Sequence, residues 1–545
     1  MMQKSMDPAV DIHDLPFELL IHIFRFIRPT WRGNIRYAHV CRRWRAAIHD
    51  TPEFWRDMID IQRVLRSSWN RERSKAFLAV FLERAQQLPL HINLVQSEFD
   101  TLETRPLGDY LDRISVLFVQ WERGDFKCEL RERLLALGPL PTLESLECTY
   151  EDPEYTRPHP LDMYRTPSAV PRTDWYPKLS FLEVNPDFLM DAVVVPSLRT
   201  LLIHMGYASL GGILTTLRHC PLLERLHIGQ IFDPTYVPIE SMSPVPLLHL
   251  HEWTMFDSYE CPGFPEVMLR HIQCPPTTRI ALHPVGPYNK IILSEVVPKD
   301  RIEGGSHIGA LSAVLPTTTT LDIQIVAGGD RWVSKNLFLK WYAPGDDVPR
   351  LCITMSYRVG DWNSGISPTS LQPYPYMLNI TFAFSSQTIT DLRLDLANEP
   401  TPVFMRRIDW TILFDAFPAL IALTARLRSC AGLFRALRQA PLRLGRLERL
   451  EVTCANKIRV HHALVITLEM RPNQGLRLRR LGFFHSNDDV GPFSDWHLAR
   501  LRAVVAEVIT SIRRVPSHSL ASAEYASPPS YITNHAIHPD RISRW

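Results

Sequence analysis

One apolar phrase recurs along most of this chain and limits what it can become. Two apolar residues three positions apart are followed by a third after one more position, as in Leu143-Leu146-Cys148 and Leu198-Leu201-Ile203. Further copies stand at Ile114-Leu117-Val119, Leu179-Leu182-Val184, Leu223-Leu226-Ile228, Leu250-Trp253-Met255, Ile389-Leu392-Leu394, Leu420-Leu423-Ala425, Leu447-Leu450-Val452 and Leu478-Leu481-Phe483. Weaker copies at Ile280/Leu282, Leu321/Ile323 and Leu351/Ile353 fill the interval, so successive copies fall 19 to 41 residues apart, the period of a solenoid. The last two apolar positions alternate along a short strand and share one face, while the residue between them takes the other. A proline often sets the entry, as at Pro141, Pro177, Pro196 and Pro418. Helical stripes such as Leu210, Ile213, Leu214, Leu217 and Leu433, Phe434, Leu437 lie between strands. This alternation predicts an α/β fold, with parallel strands backed by helices.

The N-terminal segment has another period. Leu15, Leu19, Ile23 and Ile27 recur every four residues, beside a stripe of Pro16, Leu20 and Phe24. The apolar arc is wider than one contact surface, and so short a segment cannot bury it alone. Pro16 suits a first helical turn and Glu18 suits the positive end of the helix dipole. After Arg28-Pro29-Thr30 and Gly33, Asn34 can cap a second helix carrying Tyr37, Val40, Cys41, Trp44 and Ile48. Thr51-Pro52 opens a third, with Phe54, Trp55, Met58 and Ile59. Periodicity alone is equally served by a plain three-helix bundle that feeds its own core.

The run Leu15-Pro16-x-Glu18-Leu19-Leu20-x-x-Ile23-Phe24, then Val40-Cys41-Arg42-x-Trp44-Arg45 and Trp55, resembles the F-box in order, spacing and residue type over residues 11–60. The loop at 28–36, with Pro29, Trp31 and basic Arg28, Arg32 and Arg36, is bulkier than a typical F-box. The resemblance implies a three-helix module that docks a Skp-family adaptor and, through it, a cullin. It makes Leu15, Pro16, Leu19, Leu20, Ile23, Phe24, Val40, Cys41 and Trp44 the adaptor-binding and core positions, without dividing the two roles. Arg25, Arg36, Arg42, Arg43 and Arg45 around them would suit an acidic partner or a solvated face equally. The repeats resemble an irregular leucine-rich-repeat solenoid, of the kind that accompanies the F-box in many proteins of mushroom-forming fungi. They lack the asparagine that such repeats use to tie turn to turn. Together these imply a non-catalytic substrate receptor of an SCF-type ubiquitin ligase, presenting an unknown protein substrate on the repeats. The expected layout is a flexible N-terminus at 1–10, the F-box at 11–60, a helical linker at 61–100, repeats at 101–515 and a flexible tail at 516–545.

Composition excludes several alternatives. A net charge of +2 over 545 residues does not suit a nucleic-acid binder as a whole. With 44 prolines against 23 glycines, the chain favours short stiff connections over glycine-rich phosphate loops. Nine scattered cysteines without a CxxC, no secretory apolar segment near the start and no run long enough to span a bilayer predict a cytoplasmic or nuclear protein without a membrane partner. No nucleophile elbow, Walker loop, HExxH or kinase set occurs, so no catalytic residue and no cofactor is expected. The glycine pairs Gly304-Gly305 and Gly328-Gly329 read as turns. Cys261, His271 and Cys274 lack a fourth zinc ligand and read as structural, as do His461-His462 near Cys454, leaving no metal site.

One charged stretch stands apart. Between Arg426 and Arg480 there are thirteen Lys/Arg against the acids Glu448, Glu451 and Glu469. Arg393, Arg426, Arg449 and Arg480 occupy outward strand positions and are expected on adjacent rungs of one face. Arginine forks there would suit an acidic or phosphorylated segment of a substrate. A non-degradative scaffold, or a nucleic-acid or acidic-ligand module on this basic face, is the alternative to the ligase reading.

Overall fold

The computed structural model describes residues 15–26, 37, 39–57, 59, 71–95, 107–121, 137–150, 175–185, 195–204, 206–232, 243–256, 264–283, 308–327, 334–358, 384, 388–396, 407–427, 429–439, 444–454, 459–470, 478–485 and 493–512. The chain forms two compact units, Met1–Ile389 and Thr390–Trp545. The expectations for 1–10, 28–36, 304–305, 328–329 and 516–545 lie outside the described residues.

The first unit opens with helices α1 (Phe17–Phe26), α2 (Arg42–His49), α3 (Pro52–Asp57) and α4 (Arg71–Arg84). Its strands are β1 (Leu90–Val95), β2 (Ile114–Trp121), β3 (Ser145–Tyr150), β4 (Phe181–Val184), β5 (Thr200–Ile203), β6 (Gly206–Tyr207), β7 (Arg225–Ile228), β8 (Ile231–Phe232), β9 (Val245–Pro246), β10 (Glu252–Phe256), β11 (Ile272–Gln273), β12 (Arg279–His283), β13 (Thr320–Ala327), β14 (Ser334–Tyr342) and β15 (Leu351–Arg358). The main ladder runs β1-β2-β3-β4-β5-β7-β10-β12-β15-β14-β13, while β6 pairs β8 and β9 pairs β11. From β1 to β12 every step of the main ladder is parallel.

The recurring phrase sets the register. Ile92, Leu117, Leu146, Leu182, Leu201, Leu226, Trp253 and Ile280 stand opposite one another strand by strand. Leu94, Val119, Cys148, Val184, Ile203, Ile228, Met255 and Leu282 form a second column, and both columns are buried. Burying one such side chain stabilises by about 1.5–3 kcal/mol, and a one-residue slip would send a whole column to solvent. Helices α5 (Leu210–Arg218), α6 (Phe264–His271) and α7 (Ala310–Val314) pack against one another in sequence. The stripe Leu210, Ile213, Leu214 and Leu217 is the buried face of α5, whose start is capped by Ser209 Oγ accepting from Gly212 N at 3.1 Å.

The prolines act in the turns that lead into the strands. Leu143 N donates to Leu140 O, Leu179 N to Tyr176 O, Leu198 N to Val195 O, Leu223 N to Cys220 O and Leu420 N to Phe417 O, each closing a four-residue turn. In each turn a proline (141, 177, 196, 221, 418) holds the second place, where its fixed φ is already correct. The first and last residues of these turns are buried, so the turn tucks an apolar pair under each rung. Hydroxyls join turn to turn: Thr142 Oγ1 donates to Ile114 O at 3.0 Å, Ser197 Oγ to Leu179 O at 2.8 Å and Thr278 Oγ1 to Leu250 O at 2.7 Å.

The expectation of parallel strands fails between 320 and 358. There β14 runs antiparallel to both β13 and β15, so a hairpin enters the ladder beside β12. The cause is connection length. Only residues 343–350 separate β14 from β15, too few for a parallel crossover, which takes about a dozen or more. Leu337, Leu339 and Trp341 of β14 are buried, continuing the core through the reversed strand.

The second unit alternates regularly: β16 (Asp391–Asp395), α8 (Arg407–Ala416), β17 (Ala422–Leu427), α9 (Ala431–Gln439), β18 (Arg449–Cys454), α10 (Arg459–Met470), β19 (Arg480–His485), α11 (Asp495–Val504) and β20 (Glu507–Ile512). All pairings from β16 to β20 are parallel and sequential. Leu392, Leu423, Leu450, Leu481 and Val508 form one register column. Successive helices pack side by side behind them.

Candidate functional site

Helix α1 separates its apolar residues into two faces. Leu20 and Phe24 are each 1% exposed, whereas Leu19 is 48% and Ile23 40% exposed. Pro16, itself exposed, starts the helix, its carbonyl accepting from Leu19 N and Leu20 N at 3.1 and 3.2 Å. Leu15 is half-buried, and its carbonyl accepts from the Arg43 guanidinium of α2. The inner face meets aromatic rings edge-on: Phe24 to Trp44 at 5.4 Å and Phe24 to Phe54 at 6.3 Å.

The second helix is interrupted where its spacing predicts continuity: Tyr37 is helical, residues 39–40 form a turn, and the helix resumes at Arg42. Cys41 has extended φ/ψ of −155° and 170°, and its Sγ accepts from Trp44 N at 3.4 Å, so it caps α2 instead of lying within it. Val40 therefore sits in the turn ahead, 54% exposed. Asn34, the expected cap, is outside the described residues. Trp44 is half-buried, with a buried indole N–H that meets no acceptor among the described residues. Arg42 and Arg45 are exposed; the side chains of Arg25 and Arg36 are not among those described.

Trp55 ties these helices to α4. Its Nε1 donates to Ile48 O at 2.9 Å, its ring lies 5.7 Å from Phe81 of α4, and Arg84 sits 4.3 Å over it. The spacing marked Trp55 as apolar but carried no sign of this clasp, because Phe81 and Arg84 belong to a separate helix further along the chain.

The four arginines of the second unit occupy three different rows. Arg449 stands directly opposite Arg480, Arg393 opposite Thr424, and Arg426 opposite Asp395. Three have carboxylate neighbours: Arg393 with Asp391 at 3.3 Å, Arg426 with Asp395 at 3.2 Å and Arg480 with Glu507 at 3.9 Å. Arg449 makes no ion pair among the described residues. The outward acids were invisible to a count of basic residues, since Asp391, Asp395 and Glu507 fall outside 426–480.

The remaining candidates sit apart. His271 and Cys274 are buried, Cys274 Sγ lying 4.0 Å from Ala310 O. Cys261 is outside the described residues. His461 is buried, stacked 3.8 Å from Phe493, while His462 lies against Trp496. Among the described residues no three His, Cys, Asp or Glu side chains are placed to share a metal ion, and no helix is long and apolar enough to cross a membrane.

These features define a helical protein-interaction module carried ahead of a mostly parallel α/β ladder. Residues 12–60 match the F-box-like family, so the chain carries an F-box-like domain at its N-terminal end. F-box proteins are typically non-catalytic adaptors whose F-box binds Skp1-type partners. No curated protein matches the chain.

Proposed function

We propose that this protein is a substrate-recognition subunit of an SCF-type ubiquitin ligase. The F-box, taken as residues 11–60, docks a Skp-family adaptor linked to a cullin, and the ladder, taken as a leucine-rich-repeat-like solenoid over 101–515, holds a protein substrate. The helical linker covers 61–100, and the setting is cytoplasmic or nuclear. The observation that carries the reading is an apolar surface left outside the F-box-like domain: Leu19, Ile23 and Val40, each at least 40% exposed. Leu15, Pro16 and Cys41 neighbour these residues in the chain and are not fully buried, whereas Leu20, Phe24 and the packed face of Trp44 serve the domain's own core. Such a protein performs no chemistry; it raises the effective concentration of substrate lysines near a conjugating enzyme.

Leu19→Asp with Ile23→Asp is expected to abolish co-purification of a Skp-family adaptor while leaving the melting temperature of the chain nearly unchanged. Retained adaptor binding by this folded variant refutes the docking role. Cullin in the wild-type eluate, lost from the variant, supports the ligase over a free scaffold. On the other unit, Arg393, Arg426, Arg449 and Arg480 are assigned to substrate contact. The carboxylates beside Arg393, Arg426 and Arg480 offset part of the charge on that face, which favours discrete anion recognition over a nucleic-acid polyanion.

A further inference from the structure

The first strand of one unit and the last strand of the other end their ladders differently. At β1 the core face is closed: α3 packs against the strand, and Leu90, Ile92 and Leu94 are at most 1% exposed. At β20, the last strand of the ladder among the described residues, it is open. In the column Leu392, Leu423, Leu450, Leu481, Val508 the first four residues are at most 1% exposed, whereas Val508 is half-buried. Thr510, which continues the column of buried Phe483, is half-buried too. The edge is equally bare. Glu507 N donates to Arg479 O at 2.9 Å, so alternation turns the N–H and C=O groups of Val508, Thr510 and Ile512 away from β19. Proline or lysine commonly blunts such an edge, and Glu-Val-Ile-Thr-Ser-Ile contains neither.

Helix α11 lines the same end. Its Trp496 lies 6.2 Å from His462 of α10, its Arg500 pairs with Glu469 of α10, and its Leu501 is buried. With about 100° between successive residues, these contacts leave Asp495, Leu498 and Arg502 on the flank away from α10. Leu498 is half-buried there, while Asp495 and Arg502 are exposed and make no ion pair among the described residues. Successive helices of this unit pack side by side, so this flank is where a further helix belongs.

We propose that this end of the ladder is a homodimer interface, with β20 antiparallel to β20 of a second copy and α11 beside the second α11. Self-complementarity favours a second copy over a foreign strand. With a twofold axis at Thr510, Val508 of each copy faces Ile512 of the other and Thr510 faces its equivalent. All three outward-pointing residues are then hydrogen-bonded. The pairing keeps inward residues opposite inward residues, so the core continues through the interface. The same axis sets Asp495 of each copy opposite Arg502 of the other, joining opposite charges at both ends of the helix pair. The inference goes beyond the receptor reading and does not depend on it.

Sedimentation equilibrium of the full-length chain over a wide concentration range tests it, and a monomer–dimer equilibrium is expected. Thr510→Pro leaves the bonds to β19 intact and should weaken the dimer at least about tenfold, because both hydrogen bonds of the central pair are lost. Asp495→Arg and Arg502→Asp should each weaken it at least about tenfold by setting like charges together. The double variant, and an equimolar mixture of the two single variants, should restore it. A chain that stays monomeric at every concentration, as with its own C-terminal residues or another protein's strand on the edge, overturns the proposal. A dimer indifferent to Thr510→Pro does the same, as does a charge swap that fails to restore association. If melting shows that Thr510→Pro unfolds the unit, the charge variants, which alter only exposed side chains, decide alone.

Discussion

Leu19 and Leu20 are adjacent and chemically identical, yet 48% and 1% exposed. Leu20→Ala is expected to cost about 3 kcal/mol, the loss of a core methyl cluster plus the cavity it leaves. Leu19→Ala should change stability by less than about 0.5 kcal/mol. Urea unfolding of the two variants checks both numbers. Gly309 is constrained in another way: its φ is +60°, and a Cβ there would lie 2.0 Å from Leu269 O. Gly309→Ala is expected to destabilise by about 3 kcal/mol or more, since the obstacle is backbone that cannot step aside. Thr278→Val tests the hydroxyl that joins one turn to the next. Thr278 is fully buried, and the substitution leaves the Leu250 carbonyl without its donor, for an expected loss of about 1–2 kcal/mol in the same assay.

At the scale of elements, the turn and the strand behave as one unit. A proline in the second place of each turn lowers the entropy of the unfolded chain, so Pro196→Ala should cost about 0.5–1 kcal/mol without altering any contact. A lower midpoint in thermal melts, with an unchanged circular dichroism spectrum, is the expected result. Helix α3 is held to α4 through Trp55, whose ring meets Phe81 and Arg84. Trp55→Ala is expected to cost about 3–5 kcal/mol and to raise amide exchange in Leu78–Leu82 more than in β2. Uniform exchange across both segments would contradict a local clasp.

At the scale of the molecule, histidines on the outward face of the first ladder make stability depend on pH. Burial, reinforced by His204 and His283 and opposed by Glu183, lowers His227 to about 4, and burial lowers His283 to about 4. His283 is also stacked 4.6 Å from Phe256. Both values lie below the ordinary 6.5, so between pH 6.5 and 4 the unfolded chain binds more protons than the folded one. Stability is therefore complete above about pH 6.5 and declines as pH falls toward 4. Melting temperatures from about pH 7.5 to 4.5 should show this decline, and His283→Gln should make it shallower.

The local pattern by itself determined a great deal. Leu146, Leu182, Leu201 and Leu226 fall on one buried column by spacing alone, because a period of two dictates which side chains share a face. Pro16, Leu19, Leu20 and Phe24 likewise identified a helical module, since their spacing is that of one turn. What only the tertiary structure decided depends on distant groups. Whether Leu19 or Leu20 is the outer residue is settled by where Trp44 and Phe54 arrive. Whether β14 joins the ladder reversed is settled by the length of the chain on either side of it. Arg426 reads as a free cation along the sequence and is paired with Asp395, thirty-one residues away, once β16 and β17 are in register. Arg449 is left facing Arg480 by that same register, because strand pairing chooses neighbours that sequence spacing does not contain.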